Sequence, residues 1–273
     1  MTDTAVDIRF RGIERLYGAA GLAALQRAHV CVVGLGGVGS WAVEALARSG
    51  IGKLTLIDFD VIEASNINRQ IHALDTTVGV KKAAALCERV AHINPACTCE
   101  VIDDFLTDRN LEDYLARGYD CVIDAIDSIK FKAAMIYHCK RNKIPIVTTG
   151  GAGGLTDPTK ITVVDLSRTH NDPLAKRVRD RLRSRFNFTR NVKRSFGVPC
   201  VFSTQQAVYP QQDGSISCAK PGIHGISLDC RLSMGSATFV TATFGFFAVA
   251  KAIERIMKRH AADSVREDFD DAG

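Results

Sequence analysis

A doubly wound α/β fold, Rossmann-like, with a mainly parallel sheet, helices on both faces and a C-terminal elaboration, is predicted by three features of this 273-residue chain. Short apolar, β-branched runs alternate with helix-period segments from residue 28 to residue 149, the pattern of parallel strands joined by crossover helices. The first run leads straight into Gly34-Leu35-Gly36-Gly37-Val38-Gly39. The second ends at a carboxylate, Asp58, nineteen residues beyond Gly39. Glycines between a strand and a helix, with an acid at that distance, mark a nucleotide-binding βαβ unit.

Each element follows in order. Residues 9 to 26 form a helical arm, because Leu16, Leu22 and Leu25 recur at helical spacing after Arg11 and Arg15. Strand 28–33, helix 40–48, the break Gly50-Ile51-Gly52 and strand 54–57 complete the first unit. Helix 80–93 stops at Asn94-Pro95, where proline cannot continue it. Strand 98–102, helix 109–117, strand 121–126, helix 129–142 and strand 144–149 follow. After Gly150-Gly151-Ala152-Gly153-Gly154 come strand 161–165, a basic helix from about Asp172, a polar stretch to residue 230 and a closing helix. No linker cuts the chain, so residues 1–273 are expected to form one domain, with the arm at 9–26, a nucleotide-binding core at 28–150 and the elaboration at 151–260.

Composition narrows the class. Hydrophobic residues at 46% and charged residues at 24% exclude a disordered, collagenous or coiled-coil chain. Residues 176–194 hold nine Lys or Arg against one Asp, so the net charge of +5 is a local basic patch on an otherwise slightly acidic chain. Such a stripe is the footprint of a polyanion. Nine cysteines without a CxxC pair, behind a start that has no apolar secretion core, predict free thiols in a reducing cytoplasm. Residues 232–250 carry no charge and reach the length of a membrane span. Seven of them are Ser, Thr or Gly, which favours a helix buried on the protein's own sheet and leaves only peripheral membrane contact open.

The chemistry sits after Asp58. Gly36 and Gly37 let backbone approach phosphate at a helix N-terminus, and Asp58 can accept from a ribose. A hydride-transfer enzyme or a simple nucleotide-binding protein needs no more than this. Here Asp60, Asn66, Arg69 and Lys82 follow, and Asp127 stands just beyond the strand 121–126. Taken singly, Asn66 and Arg69 read equally as a capped turn and Lys82 as a solvated helix face. Together, bidentate Arg donors, a Lys at a helix start and a carboxylate placed for Mg²⁺ suit a triphosphate. His72, near these groups, is expected to be structural.

GLGGVG, LIDFD, SNINRQ, VGVKK and IDAIDS, in this order and spacing, resemble the adenylation superfamily of ubiquitin-activating enzymes and of molybdopterin-synthase and thiamine-pathway adenylyltransferases. NRQIHAL, HINP, NKIPIVTTGGAGG, DPLAKRVRDRLRS, CVFST, VYPQ and TATFGFFAVA narrow the resemblance, from Arg9 to Met257, to its tRNA threonylcarbamoyladenosine dehydratase subfamily. The resemblance implies that Gly36, Gly37, Asp58, Asn66, Arg69, Lys82 and Asp127 hold ATP and its Mg²⁺. It also implies that the threonyl carboxylate of a threonylcarbamoyladenosine-bearing tRNA is adenylated and then cyclised. It further implies a homodimer in which an arm arginine, Arg15 or else Arg11, serves the other subunit's site, and it leaves room for a sulfur-transfer protein partner. Adenylation of the C-terminus of a ubiquitin-like or sulfur-carrier protein is the alternative. The two CxxC pairs that hold zinc in sulfur-carrier relatives are missing, and Cys97-x-Cys99 is too close to replace them, so no structural zinc is expected. Cys200 and Cys230 stand where the subfamily has cysteines. The chemistry demands no protein nucleophile, and both are expected to be ordinary thiols.

Overall fold

The computed structural model describes residues 7–211, 213–219 and 234–270, with side chains of the last helix described to residue 262. Strands β1 (His29–Val33), β2 (Lys53–Ile57), β3 (Thr98–Ile102), β4 (Cys121–Asp124), β5 (Ile146–Thr149), β6 (Ile161–Asp165) and β7 (Pro199–Ser203) form one sheet. Its order is β3-β2-β1-β4-β5-β7-β6. Every neighbouring pair is parallel except β6 and β7, which are antiparallel. A short pair, β8 (Tyr209–Pro210) with β9 (Ile216–Ser217), lies outside it.

Seven α-helices cover the sheet among the described residues: α1 (Arg11–Arg27), α2 (Gly39–Arg48), α3 (Lys82–Ile93), α4 (Leu111–Leu115), α5 (Ile129–Arg141), α6 (Pro173–Arg185) and α7 (Thr238–Asp270). The strand period of two sorts the core. Val30 and Val32 of β1 point to one face, where they meet Leu46 of α2, Leu86 of α3 and Phe244 of α7. Cys31 and Val33 point to the other, against Leu115 of α4, Ile136 of α5 and Val178 and Leu182 of α6. β1 is buried along its whole length, which is why it reads as an unbroken apolar run instead of an alternating one.

Three elements differ from the sequence expectation. The arm is two helical segments meeting at Gly18, whose φ of 75° only glycine adopts without cost. β7 falls inside the stretch read as polar, so the elaboration after residue 150 completes the same sheet. The closing helix begins at Thr238 and runs to Asp270, well beyond residue 250. Its buried stripe, Val240, Phe244, Ala248, Ala252 and Ile256, lies against the sheet. No helix among the described residues is long and apolar enough to cross a membrane. Gly245 lets α7 approach α2 closely, since a Cβ there would stand 2.7 Å from the Val38 carbonyl oxygen. The eight described cysteines are free thiols; Cys230 lies outside the described residues.

Candidate active site

The strand order reverses between β1 and β4, and open α/β sheets bind ligands beside the carboxyl ends of strands at such a point. The glycine loop leaves β1 there. Gly34 has φ 87°, and a Cβ on Gly39 would lie 1.8 Å from the Gly34 carbonyl oxygen, so both positions require glycine. Ala125 and Ile126, at the end of β4, pack on Gly34, so the glycine loop and the segment leading to Asp127 brace each other.

The sequence-predicted residues gather around this loop. Asp58, at the end of β2, is half-buried and accepts from the Leu35 amide at 2.6 Å and from the Asp60 amide at 2.8 Å. One oxygen thus fixes the glycine loop and the other the turn after β2. Each keeps a lone pair for a further donor. Lys82 opens α3 with only 8% of its side chain exposed, and its ammonium meets the Asp60 carboxylate at 2.8 Å. Gly37 faces Arg69: a Cβ on the glycine would stand 3.3 Å from Arg69 Cγ. The Arg69 guanidinium donates to the Ser65 carbonyl at 2.7 Å and to Asn68 Oδ1 at 2.9 Å. Asn66 is buried and serves its own turn, with Oδ1 accepting from the Glu63 amide at 3.2 Å. The turn is anchored on two sides, because Trp41 Nε1 donates to the Arg69 carbonyl at 3.0 Å and Asn68 Nδ2 to the Ser236 carbonyl at 2.8 Å. Asp127 is exposed, with no hydrogen bond or ion pair to any described residue.

Arg15 and Arg11 are not brought to this site. Phe10 and Leu22 of the arm pack on Gly50, just before β2, at the amino ends of the strands and thus the end of the sheet opposite the glycine loop.

Groups without partners among the described residues fit a bound nucleotide. Ser40 Oγ and Gln70 Oε1 are buried and orphaned, Ser40 in the first turn of α2 and Gln70 beside Gly36. Buried orphans of this kind cost free energy unless a ligand or water satisfies them. A lone exposed carboxylate such as Asp127 suits Mg²⁺, which takes one or two protein carboxylates together with substrate phosphates and water. His72 is 4% exposed with neither ring nitrogen paired. Burial, with Lys82 and Arg89 nearby, pushes its pKa down to about 4, so it is neutral near pH 7.

Sequence reasoning missed the support beneath Asp127. Asp124, the last residue of β4, and Lys132 of α5 form a fully buried ion pair at 2.8 Å. Thr148 Oγ1 donates to the other Asp124 oxygen at 2.6 Å. Burial pushes the Asp124 carboxyl upward, while Lys132 and Thr148 oppose the shift. Lys132 shares the stripe of Ile136 and Cys139 at helical spacing, and a lysine on a core stripe is the signal that could have revealed it. Asp172 is also more than a helix cap: its carboxylate accepts from Ala175 N on α6 and from Gly151 N at the end of β5. Cys200 is wholly buried on β7, where desolvation raises its thiol pKa strongly.

Comparison with known proteins places the chain in a family. The sequence pattern of the ThiF family matches residues 11–268. The tRNA threonylcarbamoyladenosine dehydratase of Escherichia coli is 54% identical over 254 residues, covering 93% of this chain and 95% of that protein. The Haemophilus influenzae protein of the same name is 53% identical, covering 92% and 94%. The crystal structure of the Escherichia coli dehydratase in complex with ATP superimposes with a TM-score of 0.83 at 51% identity, covering 93% of this chain and 96% of that one.

Proposed function

The chain belongs to the ThiF family, and from that premise we propose that it catalyses the ATP-dependent cyclisation of threonylcarbamoyladenosine in tRNA, a dehydration that passes through an acyl-adenylate of the threonyl carboxylate. The near full-length likeness to dehydratases of that name supports the substrate. The ATP complex of the similar enzyme supports the nucleotide.

The residues divide the work. Gly36 and Gly37, with the N-terminus of α2, admit the phosphates against backbone N–H groups. Asp58 takes the ribose, and Asp60 orients Lys82. Lys82 and Arg69 face charge that grows as a carboxylate oxygen bonds to the α-phosphorus and the bond to pyrophosphate breaks. Asn66 holds the turn that carries Arg69. Asp127 is the group that would hold Mg²⁺, which neutralises phosphate charge when bound. The carbamoyl group of the substrate then attacks the activated acyl carbon and loses a proton, and AMP leaves with one former carboxylate oxygen. The substrate thus loses the elements of water. Positioning and charge stabilisation suffice, and no protein nucleophile is required.

The observation that carries this reading is the pairing of Lys82 at the start of α3 with Asp60, beside an arginine packed on Gly37. A nicotinamide-binding half would leave these groups without work. The test is incubation with threonylcarbamoyladenosine-bearing tRNA and α-labelled ATP. Labelled AMP should form together with a nucleoside lighter by one water. AMP formed only with a carrier-protein C-terminus would replace the reading.

Two partners follow. Phe239, Phe246 and Phe247 expose one apolar side of α7, and Leu16 and Tyr17 are exposed on the arm. These surfaces support a homodimer, in which Arg15 of one copy would serve the site of the other. For tRNA, Arg177, Arg181 and Arg185 stand four residues apart on α6 and form one row, the outer two exposed and Arg181 half-buried between them, while Arg190, Lys193 and Arg194 extend the exposed charge beyond it. Arg179 and Arg183 are used internally: Arg179 donates to Thr169 Oγ1, and Arg183 lies 5.5 Å from the centre of the Phe196 ring.

A further inference from the structure

We propose that Lys132 is a positioning residue for Asp127, setting the height and direction of that carboxylate above the glycine loop. This rests on the adenylation reading of the site. Lys132 is 1% exposed, and its ammonium has three acceptors around one turn: Asp124 Oδ1 at 2.8 Å, the Ile126 carbonyl at 2.9 Å and the Asp124 carbonyl at 3.3 Å. The Ile126 carbonyl belongs to the peptide that continues into Asp127. An ammonium has three donors, and all three are committed to residues 124–126, just before Asp127.

The far side of that segment is held as firmly. Thr148 Oγ1 donates to Asp124 Oδ2 at 2.6 Å, Thr149 Oγ1 to the Asp124 carbonyl at 3.2 Å, and the Ala125 amide to the Val33 carbonyl at 2.9 Å. Asp127 itself is exposed and has no hydrogen bond or ion pair among the described residues. Its position therefore depends on the backbone behind it, and Lys132 is the clamp on that backbone. A buried lysine is an expensive way to fill space, because an ammonium out of water needs full compensation, whereas methionine would pack in the same volume. Its place beneath a carboxylate that would hold Mg²⁺ matches the role of groups that orient a metal ligand without touching the metal.

The test compares Lys132→Met, Lys132→Arg and Thr148→Val in the full chain. Three readouts are used: amide exchange over residues 124–128 without nucleotide, ATP affinity with and without Mg²⁺ by calorimetry, and AMP formation. Lys132→Met should exchange faster at these amides and lose about tenfold of the Mg²⁺-dependent gain in ATP affinity, the order for removing a group behind a metal ligand. Its kcat should fall about 100-fold, as for a displacement near 1 Å. Affinity without Mg²⁺ should stay within about threefold of the parent, since the glycine loop and Asp58 remain. Lys132→Arg should recover most of the loss by donating to the same carbonyls. Thr148→Val keeps every charge and should shift all three readouts in the same direction by less, which preserves the test if Lys132→Met does not fold. Unchanged Mg²⁺ dependence and exchange in Thr148→Val and in any folded Lys132 variant would overturn the proposal. Asp127→Asn, run in parallel, separates the two levels: if it is fully active the adenylation reading of Asp127 fails, and if it is inactive while the other variants leave Mg²⁺ dependence unmoved only the positioning role fails.

Discussion

Lys82 and Asp60 are tied twice: the ammonium meets the carboxylate at 2.8 Å, and the Lys82 amide donates to the Asp60 carbonyl at 3.0 Å. The second tie fixes where α3 begins, and the first holds the ammonium on the turn after β2, from which phosphate would take it over in the proposed reaction. Lys82→Ala should therefore reduce AMP formation by about 100-fold or more, the order for losing a charge-stabilising donor. The melting temperature should fall only through the lost packing of the buried Lys82 stem, because Asp60 is close to half exposed and water can replace its partner. Steady-state kinetics with a thermal melt checks both halves. Activity within threefold of the parent, in a folded protein, removes Lys82 from the reaction.

ATP with Mg²⁺ should bind, and NAD(H) should not. The glycine loop and Asp58 fit either nucleotide, but Arg69 and Lys82 add cationic donors that a dinucleotide would leave idle. Calorimetric titration decides between them. NAD(H) affinity tighter than ATP affinity would return the chain to the oxidoreductase class.

Replacing Arg177, Arg181 and Arg185 with Ser should weaken tRNA binding across sequences. The logarithmic salt slope should drop by about one unit for each phosphate that no longer meets a cation. ATP affinity should not change. The pair Arg179 and Arg183 should behave differently, because its removal uncovers Thr169 and Phe196 and should lower stability more than the salt slope. Filter binding over a range of salt concentrations, with melting curves, separates the two sets. Equal salt slopes for both sets would refute the division.

The strand–helix alternation, the glycine fingerprint and the acid at the end of β2 were legible because each is a local pattern of the chain. β7 was not. Its five residues follow a basic loop, and their strand character becomes visible only when Thr148 and Thr149 of β5 are paired with Cys200 and Val201, more than fifty residues away. The ionic support of the site was hidden for the same reason. Asp124, Lys132 and Thr148 come from three elements, and no spacing along the chain announces that they meet. Asn66 shows a second kind of limit: its motif marks it for the nucleotide but says nothing of the cap it also provides, with Oδ1 accepting from the Glu63 amide.

His72 gives a pH signature. Burial, reinforced by Lys82 and Arg89, lowers its folded pKa to about 4, below the ordinary 6.5. A depressed value means that the unfolded chain takes up the proton first. The stability linked to His72 is thus complete above pH 6.5 and is lost as pH falls toward 4, by about 3 kcal/mol in total. Urea midpoints for the parent and His72→Gln should diverge in slope across this window, the parent falling more steeply. Parallel slopes would show that His72 is already protonated or solvated in the folded state.

Cys200 provides the mechanistic test against a thioester route. A relay of the kind used in carrier-protein activation needs an accessible thiolate close to the acyl-adenylate. Cys200 has no exposed surface, its Sγ points to the Val201 carbonyl at 3.7 Å, and burial raises its pKa far above neutrality. Ring closure within the substrate needs no such group, because the attacking atom arrives already tethered to the activated carbon. Cys200→Ser should therefore keep cyclisation within about tenfold of the parent, the deficit reflecting a hydroxyl buried in an apolar core at a cost of about 1–3 kcal/mol of stability. Cys230→Ser should keep activity within the same limit. A fall of several orders of magnitude in either variant, with folding and ATP binding intact, would demand a covalent intermediate and move the chain toward the carrier-protein activators.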